Sequence, residues 1–253
     1  VTAQLHERLR FRGKDYGMAA CPLEGLFHTL RPRPAFVFLH TACWRGYVGL
    51  WEVQDNLLFL TELRGQVSEE TAENHRREFG LTDLFPQAPP DGVLADWAFD
   101  WFRVPDGEIQ HYVHMGFESK YERDLLLGVH RGRLVAVRTV DNTTRIERIE
   151  LTPRLDEVYE EEAPFIRTIL ANEGEHLPKL VYADWLDERS DPRGELLRLF
   201  TTVVQMSDEW NVTTQKGREL LQVRYQKILE RVNDPVWPKL LGLPGNRRMS
   251  DGL

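Results

Sequence analysis

Tyr47-Val48-Gly49-Leu50-Trp51-Glu52-Val53-Gln54-Asp55-Asn56-Leu57-Leu58-Phe59-Leu60-Thr61 decides how the first part of the chain is read. Tyr47, Gly49, Trp51 and Val53 alternate with Val48, Leu50 and Glu52, the two-residue period of a strand with one buried face. Asp55-Asn56 tolerates the positive φ that a two-residue hairpin turn requires, and Leu57, Phe59 and Thr61 run back from it. The same pattern extends outward. Val37 and Leu39 lead toward a turn near Trp44-Arg45-Gly46. Val93–Val104 and Glu108–Phe117 join through Pro105-Asp106-Gly107, and Arg123–Val129 joins Leu134–Val140 through His130-Arg131-Gly132-Arg133. Asp141-Asn142 turns the chain into Arg145–Leu151. Hairpin-sized connections at this spacing predict an antiparallel β-meander over residues 1–152, folded as a curved sheet, sandwich or barrel.

Two segments interrupt the strands. Pro22–Phe27 has Pro22 in the first turn of a short helix. Ser68–Phe79 reads as a helix capped by Ser68, with Glu69, Glu70 and Glu73 near its start. After Leu151 the period changes. Leu155–Glu162 holds Asp156, Glu157, Glu160, Glu161 and Glu162 and reads, within residues 153–162, as a solvated acidic connector. Helical spacing follows in Phe165, Ile166, Ile169 and Leu170, then in Leu180, Val181, Ala183, Trp185 and Leu186. A third helix starts at Asp191-Pro192 and carries Leu196, Leu197 and Phe200; a fourth carries Leu221, Tyr225, Ile228, Leu229 and Val232. The expected class is α+β: a β-rich domain followed by a small all-α domain over 163–243, with a flexible tail over 244–253.

The chain has 253 residues, 42% of them hydrophobic and 28% charged, enough for a sizeable core. Its formal net charge of −8 argues against a general affinity for nucleic acid or an anionic membrane. Two cysteines, Cys21 and Cys43, are too few for a disulfide scaffold. Neither a leader nor a membrane span is read, so a cytoplasmic protein is expected.

Phe165-Ile166-Arg167-Thr168-Ile169-Leu170-Ala171-Asn172, followed by Leu180-Val181-Tyr182-Ala183-Asp184-Trp185-Leu186-Asp187-Glu188-Arg189-Ser190-Asp191-Pro192-Arg193-Gly194-Glu195, resembles the bacterial repeat-companion domain family. Trp237-Pro238-Lys239-Leu240 is similar to the tryptophan-x-x-leucine that ends that family's pattern. The resemblance covers about residues 162–243; Ser207–Thr214, with Trp210 in it, departs from the family. It implies a helical domain that accompanies repeats and signalling modules in multidomain bacterial proteins, with no catalytic activity belonging to the family as a class. From the residues themselves, Asp191-Pro192 is a helix start and Gly194 permits a neighbouring helix to approach closely. Asp184, Arg193 and Glu195 suit an ion-pair network holding the helical hairpin; with Trp210 they are also the candidate partner-binding residues. Trp185 is read as core, on one stripe with Val181 and Leu186.

Cys21, His28, His40, Cys43, His111 and His114 contain no C-x-x-C pair, and three-residue spacings on a strand point to opposite faces, so no metal or other cofactor is expected. Cys21 before Pro22 is read as a packed thiol and not a nucleophile. Asp96 and Asp100 on one strand would lie roughly 13 Å apart, beyond the spacing of about 5 to 9.5 Å that glycosidase pairs use. Trp97, Phe99 and Trp101, like Tyr47 and Trp51, are read as core faces. Arg8, Arg10, Arg12 and Lys14 occupy alternate positions, giving an extended segment a positive edge that either discourages aberrant pairing or meets nucleic acid. The expected function is a non-enzymatic adaptor or regulatory protein making protein–protein contacts in a bacterial multicomponent signalling or defence system. The alternatives are an enzyme with its site around Glu52, His111, His114 and Glu118, and an accessory nucleic-acid binder using Arg8–Lys14.

Overall fold

The computed structural model describes residues 2–38, 40–68, 76–209 and 215–244, excepting the side chains of 203–209 and 215–219. The chain divides into two compact units, Val1–Val158 and Tyr159–Leu253. The expected positions in 69–75 and 245–253, and Trp210 itself, lie outside the described residues.

Among its described residues the first unit carries ten strands in one mixed sheet. They are β1 (Glu7–Phe11), β2 (Lys14–Met18), β3 (Tyr47–Gln54), β4 (Leu57–Ser68), β5 (Arg76–Gly80), β6 (Val93–Leu94), β7 (Phe99–His111), β8 (Lys120–His130), β9 (Arg133–Asp141) and β10 (Ile146–Leu151). The order is β2-β1-β3-β4-β9-β8-β7, with β5 and β6 also on β4 and β10 on β9. Asp55 and Asn56 have φ of 48° and 59°, and Arg131 and Gly132 have 48° and 76°, so both tight hairpins form where positive φ was expected. The end strands meet as the sheet curls: the Ala19 N–H donates to the Arg103 carbonyl at 2.8 Å, and Lys14 pairs with Asp106.

The plain antiparallel meander needs correction in four places. First, β1 pairs with β3 in parallel, Arg8 beside Leu50 and Arg10 beside Glu52. Arg8 and Arg10 are therefore on an interior strand, while Arg12 lies in the turn and Lys14 begins β2 at the end of the sheet path. Second, helices lie among the strands: α1 (Leu23–Thr29), between β2 and β3, is the short helix expected after Pro22, whereas α2 (Leu81–Leu84), between β5 and β6, was not expected. Third, Ser68 ends β4 and Arg76–Phe79 lie in β5, paired in register with Gly65–Ser68, so these residues are not helical. Fourth, Pro105-Asp106-Gly107 is no turn. β7 runs through it, with a register irregularity between Asp106 and Ile109 and Gly107 at φ 87°. β7 ends the sheet path, where a residue lacking an N–H is tolerated, and Gly107 supplies the bulge.

One core fills the inner face of this unit. Leu9, Phe11, Tyr47, Trp51, Leu58, Leu60, Phe102, Val104, Leu127 and Val129 are all buried, and α1 adds Leu23 and Phe27. Tyr47 and Trp51 are core, as expected; Trp97 is not on a strand but in a turn, stacked on Phe85 at 5.3 Å. The acidic stretch after β10 is not simply solvated. It forms α3 (Arg154–Val158), and both Leu155 and Tyr159 are buried.

The second unit holds α4 (Ala163–Ala171), α5 (Leu177–Asp187), α6 (Pro192–Glu209), α7 (Gln215–Leu229) and α8 (Val236–Leu240). Its core takes Ile166, Ile169, Tyr182, Leu186, Leu196, Leu197, Tyr225, Ile228 and Trp237. A Cβ on Gly194 would lie 2.8 Å from the Ala183 carbonyl, so glycine there lets α5 and α6 close together. Trp185 is only half-buried and Val181 is exposed, so the expected stripe faces outward in part; the Arg189 guanidinium stacks on Trp185 at 3.7 Å.

Candidate functional site

Strand alternation on β1 sends Glu7, Leu9 and Phe11 inward and Arg8 and Arg10 outward. A carboxylate is thereby placed in the core. The Arg45 Nε lies 2.7 Å from Glu7 Oε1. Glu7 Oε2 accepts from Trp51 Nε1 at 3.1 Å and from the Gly49 N–H. A Cβ on Gly49 would lie 2.5 Å from Glu7 Oε2, which explains glycine at that point of β3. Burial pushes the Glu7 carboxyl above its ordinary value, against the pull of Arg45, Trp51 and Gly49. The pair fixes the segment before β3 to β1 and so helps position what lies on the outer face.

That outer face floors a hollow of about 880 Å³. Arg8, Arg10, Asp15, Leu50, Glu52 and Thr61 come from the strands, while Ile109, Tyr112, Phe117 and Tyr121 come from the far end of the β7–β8 hairpin. The hairpin overhangs because β7 continues past Gly107, and it is held in place. Arg103 donates to the Phe117 and Ser119 carbonyls at 2.7 and 2.9 Å and pairs with Asp124 at 2.8 Å. Gln4 straps the other wall: its N–H donates to the Gly116 carbonyl at 2.8 Å, its side-chain amide donates to the Thr41 carbonyl, and it accepts from the Trp44 N–H. A smaller hollow of about 250 Å³ shares Leu5, His6, Arg8 and Leu50 and reaches Arg64, Gln66 and Glu78. The two meet at Arg8. His6 lies between them, its pKa lowered by burial first and then by the Arg103 and Arg45 cations, so its ring is neutral near pH 7.

The four alternate bases differ in their partners. Arg10 pairs with Asp15 at 3.0 Å, Arg12 with Glu150, and Lys14 with Asp106. Arg8 makes no ion pair among the described residues. Its ladder neighbours are Gly17 on β2 and Leu50 on β3, and Glu62 feels it only as a more distant charge.

The candidates in the helical unit do not share one network. Arg193 gives Nη1 and Nη2 to Glu162 at 2.8 and 3.1 Å and pairs with Asp191 at 2.7 Å. Asp191 also accepts from the Arg193 N–H at 2.9 Å, the expected helix cap. Glu162 accepts from the Tyr182 hydroxyl, which in turn accepts from Trp237 Nε1 at 3.0 Å. Asp184 instead pairs with Arg198, and Glu195 with Arg224. The expected trio is divided because Arg193 points to the start of α4, while Asp184 and Glu195 lie on outer faces. Glu162 was unmarked in the sequence because it sits in an acidic run.

Of the residues proposed for an enzyme, Glu52 faces the hollow, His111 is exposed opposite Lys120 at the end of the ladder, and His114 bonds the Tyr112 hydroxyl at 2.9 Å. Glu118 is exposed. Burial raises the Cys21 thiol to about 11, leaving it protonated. Among the described residues no three His, Cys, Asp or Glu side chains are grouped to hold a metal ion, and no helix is long and apolar enough to cross a membrane. Comparison of the chain with family models, with curated proteins and with solved structures finds no match.

Proposed function

We propose that this protein is a non-enzymatic adaptor, making protein–protein contacts in a bacterial multicomponent signalling or defence system. The observation that carries the reading is the braced hollow on the β-rich unit. It combines exposed apolar groups (Leu5, Ile109, Tyr112) with charges of both signs, the composition of a surface that meets another protein. The resemblance of residues 162–243 to repeat-companion domains supports the setting, and the helical unit supplies a second contact with Trp210 as its anchor.

Capture from the native host at low and at moderate salt tests this, using wild type, Ile109→Asp, Tyr112→Ala and Trp210→Ala. Ile109 and Tyr112 are 52% and 58% exposed, so their replacement leaves the fold intact. A protein partner retained at moderate salt and lost with either groove variant is expected, because an apolar contact is little screened. Recovery of nucleic acid alone, sensitive to Arg8 and Arg10 replacement, would overturn the reading.

A further inference from the structure

We infer that the groove centred on Arg8 receives an extended, acidic segment of the partner, a carboxylate meeting the guanidinium and an apolar side chain lying against Leu50 and the overhanging hairpin. This deepens the adaptor reading and rests on it. Charge accounting selects the occupant. Arg10 is neutralised by Asp15, with Glu52 beside it in the parallel ladder, whereas Arg8 has a glycine on one side and a leucine on the other. Among the described residues Arg8 is thus a groove cation without an ion pair, Glu62 acting on it only from farther off, and Leu5, Leu50 and Tyr112 line the same hollow. A single carboxylate satisfies that cation through a charge-assisted hydrogen bond. A nucleic-acid strand would bring a phosphate with every nucleotide against Asp15 and Glu52, and these repel it.

Length and shape agree with an extended chain. The two hollows meet at Arg8 and together run from Asp15 on β2 to Glu78 on β5. Four inter-strand steps of about 4.8 Å make a track of about 19 Å, the reach of about six extended residues. Every second side chain of such a segment would point down to the floor, so a single acid over Arg8 with an apolar residue two positions away fits best, and further downward acids would meet Asp15, Glu52 and Glu78. His6, kept neutral by burial and by the Arg103 and Arg45 cations, does not compete for the carboxylate but lends its ring as a wall.

Six-residue peptides with one glutamate, glutamine or lysine followed two residues on by leucine, serine elsewhere and both ends capped to remove terminal charge, are the probes. A single-stranded oligonucleotide is the fourth. Each is titrated calorimetrically against the full chain and its Arg8→Gln and Arg10→Gln variants, with thermal melts confirming that the variants fold. The glutamate peptide is expected to bind. Arg8→Gln should weaken it about tenfold or more, and Arg10→Gln by much less. Equal binding of the lysine peptide, indifference to Arg8→Gln, or binding of the oligonucleotide alone would overturn the inference. If no peptide binds while groove-dependent capture from the host persists, the acidic-segment inference falls and the adaptor reading stands. If capture also ignores the groove variants, both fall.

Discussion

Each unit of this protein buries an arginine against acids, and the two sites are built differently. In the β-rich unit Arg45 and Glu7 are close, with side chains 8% and 0% exposed, yet Glu7 Oε1, Arg45 Nε and Arg45 Nη2 have no well-aligned hydrogen bond. In the helical unit Arg193 directs its N–H groups to Glu162 and Asp191, and Tyr182 and Trp237 complete the chain. In the first, directed bonds from Trp51 and Gly49 hold Glu7, while Arg45 meets it by charge and position. The second is a network of directed bonds. Desolvating an ion pair is costly unless hydrogen bonds satisfy what remains, so the β-rich unit carries the more expensive pair and the helical unit the more stabilising network.

The largest expected effect is on the β-rich unit. Glu7→Ala strands Arg45 among apolar groups and should cost about 3 to 5 kcal/mol. Hydrogen exchange in β1, β3 and β4 should accelerate, with the helical unit unchanged; a variant as stable as wild type would refute the pair's role. Replacing both partners sharpens the comparison. Glu7→Leu with Arg45→Met should recover the part of the loss that comes from the stranded guanidinium, while the Trp51 Nε1 and Gly49 N–H donors still lack their acceptor. Glu162→Leu with Arg193→Met should recover less, because Asp191 loses the guanidinium and the Tyr182 hydroxyl loses its acceptor. Equal recovery in both units, read by chemical denaturation, would erase the distinction. Next, Asp191→Ala removes a cap and one arm of the network and should cost the helical unit about 1 to 2 kcal/mol.

Acid should move the two sites in opposite directions. At Asp191 burial is outweighed by the side-chain and backbone bonds involving Arg193, so its folded pKa is lowered from 3.8. Its stabilisation is present above that value and lost as pH falls below it, so the cost of Asp191→Ala should shrink in strong acid. At Glu7 burial raises the folded pKa above 4.5. The folded state then takes up the proton first, and wild type should gain on Glu7→Gln as pH falls from neutral toward 4.5. Differences independent of pH at both sites would contradict the assigned shifts. The smallest effect belongs to the groove. Arg8→Gln should change stability by less than about 0.5 kcal/mol, as a surface cation without an ion pair, and a thermal melt checks it.

What was legible in the sequence followed from local physics. Asp55-Asn56 and Arg131-Gly132 announce their hairpins because the turn geometry itself selects the residues. Helical spacing in Phe165–Leu170 and Leu221–Leu229 marks α4 and α7 for the same reason, although Val232, expected in the fourth helix, lies past its end. Pro105-Asp106-Gly107 misleads because a turn and a bulge in an end strand ask for the same residues. The parallel pairing of β1 with β3 has no local signature, and it is this pairing that sets Arg8 beside Leu50. Arg8, Arg10 and Glu52 were therefore visible as separate candidates, while Tyr112, Phe117 and Tyr121, brought over them by the overhanging hairpin, were not. In the helical unit Arg193 stood out within its motif, but its partner Glu162 was hidden among like charges.

Hydrogen exchange on the full chain, free and bound to the captured partner, tests most directly that the β-rich unit carries a groove for another protein. Slowed exchange across Gln4–Arg10, Leu50–Glu52 and Ile109–Tyr121 is expected on binding, with rates around Tyr182, Arg193 and Trp237 unchanged because those residues hold their own unit together. Unchanged rates in the groove, with slowing confined to the helices that carry the Arg193 network, would contradict the account.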